Sequence, residues 1–356
     1  MLTKLATPLV IEIAEPATAC RWDALYELDP LAMPTQSRRW AQAIRAASRS
    51  QNVSRYYRFS DGLEAVLPFY RRSIVPFTIS VLNSPPPAWG FGGVLSSAPL
   101  TAAHLGSILD DCAQLSAAAI SIRPNPAHAS CWTEAGANRN WTLEPRRAHV
   151  LDLAGGFEHV KSTRFHRKIS NKIRRALKHG VTVATGNSDA LISDFDILFR
   201  RSIGRWANKQ HEFPWLAQMR GRMRDPSRKF REMARQVGDL LQVGIARHNG
   251  NPVAGAMVLI GRNAHDMRGA LDKQLIGNTY ANYLLQSTMI ELACRQQCRY
   301  YHLGESGNSR TLGSYKEQFG AVPVDYPELR FERLPVYSVD KRIRAGVKRL
   351  IGFNDV

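Results

Sequence analysis

With 356 residues, 44% of them hydrophobic and 22% charged, the chain has a globular composition, not a disordered one, and is too long for one ordinary core, which points to two domains. It contains no apolar run of the roughly 18 residues needed to span a membrane as a helix. The formal net charge of +18 predicts attraction to a polyanion: tRNA or other nucleic acid, an anionic membrane, or phosphate-bearing substrates.

At the N-terminus Glu12 breaks the apolar run early, which argues against a secretory signal. The five cysteines (Cys20, Cys112, Cys131, Cys294, Cys298) are scattered. Only Cys294 and Cys298 are close, and no further Cys or His lies at metal-ligand spacing. A reduced cytoplasmic protein without a metal site is expected.

In the first half a strand over 54–59 turns at Ser60-Asp61-Gly62 into a strand over 63–71, and a third follows over 78–83. After the Pro85-Pro86-Pro87 loop and Gly92-Gly93, a helix over 101–115 precedes a strand over 118–123. A short helix ending at Gly136 and a strand over 141–153 follow.

Residues 161–180 carry eight Lys/Arg (Lys161, Arg164, Arg167, Lys168, Lys172, Arg174, Arg175, Lys178) and no acid. Phe165, Ile169, Ile173 and Leu177 recur four apart, predicting one helix with an apolar stripe beneath a cationic surface. Ser162 or Thr163 would cap its start and Gly180 its end. So many like charges repel one another, so a bound anion is a better reading than a merely solvated face. Arg164, Arg167, Lys168, Lys172 and Arg175 are its candidates.

The second half reads as helices over 190–237, a strand over 240–247, the hairpin signal Asn249-Gly250, and a strand over 252–260. A third strand over 265–271 leads to a helix with apolar positions Leu284, Leu285, Thr288, Met289, Leu292 and Ala293. Then come a strand over 300–303, a short helix closed by Gly320, and a strand over 329–334. Asp61-Gly62 precedes Asn249-Gly250 by 188 residues, and Gly136 precedes Gly320 by 184, which suggests an internal duplication. The second-half pair Tyr315-Lys316 falls opposite Cys131-Trp132, so one chemical site is expected, in the second half. The basic segment 341–351 would either lie on an anionic membrane or dock on its own domain.

Two motifs carry the chemistry. Gln274-Leu275-Ile276-Gly277-Asn278-Thr279 joins a strand to a helix, where backbone N–H groups can approach a pyrophosphate. Asn308, Tyr315, Lys316, Phe319 and Gly320 follow one β-α unit later. On these motifs and the tandem element order, roughly residues 20–335 resemble the GNAT acyltransferase superfamily. The closer resemblance is to the double-GNAT proteins of the Fem-type aminoacyltransferases and the related BioF2-like acyltransferases.

The resemblance implies an α/β fold of tandem GNAT-like domains with mixed sheets and a connecting basic helix. The divisions would be 1–155 (degenerate), 156–335 (active) and a basic tail 336–356. It implies N-acyl transfer from acyl-CoA to an amine of a small, phosphorylated or cell-envelope acceptor. The alternative is aminoacyl transfer from aminoacyl-tRNA to a peptidoglycan precursor. A reading of another class, non-enzymatic nucleic-acid binding on the basic helix, has no base-reading motif behind it.

In the resemblance Gln274, Gly277, Asn278, Thr279 and Asn308 hold coenzyme A, and the backbone of Val258, Leu259 and Ile260 polarises the acyl carbonyl. Tyr315 serves as general acid, Lys316 stabilises the oxyanion, and Trp206 and Trp215 line the acceptor side. The base that frees the amine is sought among Glu305, Asp272 and His302. A lipid-linked acceptor would bring the protein to the inner face of the membrane.

Overall fold

The computed structural model describes residues 9–350 apart from Arg49, 75–78, His211 and Asn308. The chain opens with β1 (Ile11–Pro16), α1 (Ala19–Leu28) and α2 (Arg38–Ala47). Next come β2 (Gln51–Asn52), β3 (Arg55–Phe59), β4 (Glu64–Leu67), β5 (Tyr70–Ile74), β6 (Ile79–Ser84) and β7 (Leu95–Ser96). The first half closes with α3 (Ala102–Gln114), β8 (Ala119–Ile122), α4 (Ala129–Ala137) and β9 (Thr142–Asp152).

The second half runs α5 (Gly156–Thr163), α6 (Arg167–Lys178), β10 (Thr182–Gly186), α7 (Asp189–Lys209), α8 (Pro214–Arg224) and α9 (Ser227–Val237). It continues β11 (Leu241–His248), β12 (Asn251–Ile260), β13 (Ala264–Leu271), α10 (Lys273–Ile276), α11 (Ala281–Arg295), β14 (Tyr300–Glu305), α12 (Arg310–Glu317), β15 (Val322–Glu332) and α13 (Val336–Leu350).

Local chemistry explains most of these boundaries. Asn249 (φ 49°) and Gly250 (φ 77°) both take the left-handed conformation a two-residue hairpin requires, and His248 pairs with Asn251 across it. The strand expected over 63–71 is instead two, because Pro68 has no N–H for a ladder and the chain changes sheets there.

The basic helix expected over 161–180 is likewise two helices, interrupted at Arg164-Phe165-His166. The break is tertiary. His166 N–H donates to the Gln318 carbonyl at 2.8 Å, Phe165 packs edge-on against Phe319, and a Cβ at Gly320 would meet the Arg164 carbonyl at 2.5 Å. His166, rather than Ser162 or Thr163, caps α6. The apolar stripe consequently drifts outward: Ile169 is buried and Leu177 exposed.

Among the described residues an eleven-stranded sheet runs in the order β10-β11-β12-β13-β14-β9-β15-β8-β6-β5-β2. The last strand of each half lies in the other half's territory: β9 pairs with β14, and β15 with β8. The core is also shared. Trp22 and Trp40 of α1 and α2 join Phe195, Phe199 and Phe230 of α7 and α9 and Met257 of β12 in one cluster. The divisions 1–155, 156–335 and 336–356 therefore describe chain order, while in space the halves interlock.

Glu328 on β15, 5% exposed, pins this exchange. It accepts from Arg123 at 3.1 Å and Ser121 at 2.9 Å, and from Arg146 and Arg330. Burial alone would raise its pKa, but the three guanidinium groups and the Ser121 hydroxyl hold it at about 2 against an ordinary 4.5. The stability this confers is present above pH 4.5 and is lost as pH falls toward about 2. Glu328→Gln should cost about 3 kcal/mol at pH 7, read from urea unfolding, by leaving the arginines without their countercharge.

Candidate active site

The two halves repeat one unit, β6-α3-β8-α4-β9 against β13-α11-β14-α12-β15, in which a helix connects two parallel strands. In the first half that parallel pair is closed. β6 and β8 stay in register from Val81↔Ala119 to Ser84↔Ile122, and Gly92 bridges Pro124 beyond them. In the second half β13 and β14 pair only at Ala264↔Tyr301 and His265↔His302 and then part. A bulge in β14, between His302 and Glu305, turns at Gly304 (φ 71°), where a Cβ would crowd the Asp266 carbonyl at 3.2 Å.

The parting strands open a cleft of about 1460 Å³, walled by β13, β14, α7, α8, α11 and α12 and by the first-half loop at Ala88, Gly90 and Phe91. Cations dominate its lining: Arg123, Arg205, Arg220, Arg224, Arg268, Arg310, Lys316 and Lys348 against Glu212, Asp266 and Glu305. Such a cleft concentrates anionic ligands.

The first-half loop is locked to the cleft wall by a buried ion cluster. Arg268 donates to the Ala88 carbonyl at 2.9 Å, and Asp225 meets Arg268 at 3.3 Å and Lys229 at 2.8 Å. Burial would raise the Asp225 pKa, yet the Arg268, Lys229 and Arg224 charges hold it well below the usual carboxylate range.

Lys316 lies in this cleft, 6% exposed. Its Nζ donates to the Gly304 carbonyl at 3.0 Å and the Glu305 carbonyl at 2.7 Å, so the bulge supplies two of its three acceptors. Burial pushes its pKa down to about 8, opposed by Asp266 and Glu305. Tyr315, one residue earlier, donates to the Asn282 carbonyl at 3.1 Å and packs edge-on against Tyr283 and Phe319. Burial raises its pKa well above the ordinary phenol range, so it stays protonated. Glu305 lines the cleft and accepts from Tyr326 Oη at 2.5 Å.

Asp266, absent from the sequence candidates, is the cleft's most perturbed carboxylate. Burial lifts its pKa to about 6, partly opposed by the Lys316 charge, a Gln286 hydrogen bond and Arg268. A carboxylate poised near neutrality beside a cation suits a general base.

Other candidates fall elsewhere. Val258 and Leu259 are buried and laddered on both sides, to β11 and β13, so their backbone is not free to polarise a carbonyl, and Ile260 is buried and laddered to β13; the strand edges that open into the cleft are those of β13 and β14 beyond His265 and His302. Asp272 caps α10, accepting from the N–H groups of Gln274 at 3.0 Å and Leu275 at 3.2 Å, and ion-pairs with Arg201 at 2.9 Å. Its pKa is lowered: burial would raise it, but those donors prevail, which makes it a structural cap and not a base. His302 is 1% exposed, and burial holds its pKa at about 3.

Asn308 lies outside the described residues. Trp206 lines the cleft, whereas Trp215 is 65% exposed on the outer side of α8. On the basic segment, Arg164 pairs with Asp152 and Lys172 is turned onto Tyr283 and Gln318. Arg175 stacks on Tyr280, while Arg167 and Lys168 face solvent.

The Gln274–Thr279 loop is a poor pyrophosphate cradle. The N–H groups of Gln274 and Leu275 are held by the Asp272 carboxylate, that of Ile276 by the Asp272 carbonyl, and that of Thr279 by the Ile276 carbonyl. The Thr279 hydroxyl folds back onto Ile276 as well. Gly277 and Asn278 are exposed but do not line the cleft. Four of the six amides from Gln274 to Thr279 are thus already held within the loop, two of them by the Asp272 carboxylate, which leaves a poor fit for the pyrophosphate of coenzyme A.

Residues 163–317 match the acetyltransferase (GNAT) domain family. A stretch of 174 residues is 30% identical to the UDP-N-acetylmuramoylpentapeptide-lysine N(6)-alanyltransferase of Weissella viridescens, covering 48% of this chain and 47% of that enzyme. The match thus spans about half the length of that relative. Among solved structures, FemX superposes with a TM-score of 0.66 at 12% identity, over 92% of this chain and 99% of FemX. A conserved Bacteroides thetaiotaomicron protein of unknown function superposes at 0.54 with 11% identity, over 91% of this chain and all of that one. At such identities these superpositions establish a common fold.

Proposed function

From a chain that carries a GNAT acetyltransferase domain, we propose an N-acyltransferase that moves an aminoacyl group from aminoacyl-tRNA to an amine of a phosphorylated cell-envelope precursor. The observation behind it is the opening between β13 and β14, with Lys316 and Asp266 inside it. As the amine nitrogen bonds to the donor's carbonyl carbon, Asp266 takes its proton and the Lys316 ammonium steadies the charge gathering on the carbonyl oxygen. The ester C–O bond then breaks, and its oxygen takes up a proton from Asp266.

The donor assignment rests on the loop at 272–279, where the amides of Gln274, Leu275, Ile276 and Thr279 are already taken, and on the exposed cations of α6, which suit a nucleic-acid backbone. The Weissella relative is named for alanyl transfer to a lysine N6. That agrees with aminoacyl rather than acetyl transfer, and the cationic cleft suits a phosphorylated acceptor.

Thermal denaturation with alanyl-tRNA and with acetyl-CoA tests the donor, since a ligand that binds only the folded protein raises its melting temperature. We expect a rise with alanyl-tRNA and none with acetyl-CoA. The reverse result would return the donor to acyl-CoA, and no rise with either would overturn the transferase reading.

A further inference from the structure

Helix α8 has two unlike faces. Ala217, Arg220, Gly221 and Arg224 line the cleft. On the opposite side Trp215, Met219 and Met223 are 65%, 47% and 78% exposed, spaced four apart and therefore stacked on one helical face. They rim a shallow surface depression with Gln218 and Arg222.

Helix α13 repeats the pattern. Val339, Ile343 and Val347 are 44%, 62% and 44% exposed at the same spacing, while Lys348, off that stripe, lines the cleft. Tyr337 and Lys341 anchor the start of α13 on Asn83 and Glu144, so the helix is docked and still leaves its apolar stripe outside.

The exposed charges flanking both stripes are mainly positive. Helix α8 exposes Arg222 beside its stripe, since Arg220 and Arg224 are turned to the cleft and pair with Glu212 and Asp225; α13 exposes Arg342 and Arg349, while Arg344 pairs with Asp340 and Lys341 with Glu144. A nucleic acid would satisfy these charges but leave Trp215, Met223 and Ile343 in water. An anionic lipid surface satisfies both, taking apolar side chains below the headgroups and arginines and lysines among them. Among the described residues no helix is long and apolar enough to cross a membrane, so contact would be at the surface.

We infer that α8 and α13 are interfacial helices that seat the protein on an anionic lipid bilayer, with both helices beside the cleft at the membrane surface. This deepens the proposed function, on which it rests, by naming the acceptor as one carried by a lipid anchor.

The test is co-sedimentation with vesicles of phosphatidylcholine alone and of phosphatidylcholine with phosphatidylglycerol. Wild-type protein should bind only the anionic vesicles. The Met223→Glu/Ile343→Glu variant should bind them at least about tenfold more weakly, each change removing one large apolar side chain from the bilayer. No binding to anionic vesicles, or equal binding by the variant, would overturn the inference.

Both side chains face solvent, so the variant should keep the wild-type melting temperature and its turnover of a water-soluble amine. That separates a failed membrane contact from a failed transferase. If the double variant melts early, Met219→Ser in the same assay supplies the comparison, with weaker binding expected and unchanged binding counting against the inference.

Discussion

Lys316→Gln should lower kcat by about 10²–10³-fold, the loss typical of one transition-state charge donor, with KM little changed. Glutamine is the informative replacement. Its amide can still donate to the Gly304 and Glu305 carbonyls that Lys316 now bonds, so the bulge keeps a partner while the positive charge disappears. Lys316→Met should lose the same activity and, in addition, about 1–3 kcal/mol of stability, because both buried carbonyls are orphaned. Wild-type kcat in Lys316→Gln would reduce this lysine to a strap between α12 and β14. Steady-state kinetics beside urea unfolding of the two variants separates these outcomes.

Asp266→Asn should lower kcat by about 10²–10⁴-fold, the range for losing a general base. The pH profile makes the assignment specific. With Asp266 near 6 and Lys316 near 8, kcat/KM should rise through about pH 6, plateau, and fall beyond about 8. The limbs report the coupled pair rather than either residue alone. In Asp266→Asn the acid limb should vanish from the residual activity.

Stability gives an independent check on the same carboxylate. Its folded pKa lies above the ordinary 3.8, so its contribution favours the fold at low pH and is lost as pH rises through about 6. Asp266→Asn should therefore be no less stable than wild type at pH 8. A profile unchanged by Asp266→Asn would shift the base to Glu305.

The local features of this fold were legible and the long-range ones were not. Asn249-Gly250 announced its hairpin because both residues tolerate positive φ, and α11 announced itself through Leu284, Leu285, Met289 and Ala293, all buried. The break in the basic helix was invisible because its causes, Gln318, Phe319 and Gly320, lie about 150 residues downstream. Asp266 escaped notice for a related reason: it is an ordinary strand residue until α11 brings Gln286 and α12 brings Lys316 beside it. Placing open backbone at Val258 and Leu259 failed because alternation and hydrophobicity mark a strand without saying which neighbour leaves it. Asp272 read as a candidate base from its position at a strand end, which is equally where a helix cap belongs.

The exchange of β9 and β15 also bears on how the chain is made. Strand β8 finds its outer neighbour only in β15, some 200 residues later. At typical synthesis speeds of about 5–20 residues per second, that edge stays unpaired on the ribosome for roughly 10–40 s. An apolar strand such as Ala119–Ile122, buried in the finished protein, is for that interval a template for pairing with other nascent chains. Truncations that stop before residue 322 should then aggregate rather than yield a free first half. The route to soluble protein is slow growth or chaperone supply, with the C-terminus intact.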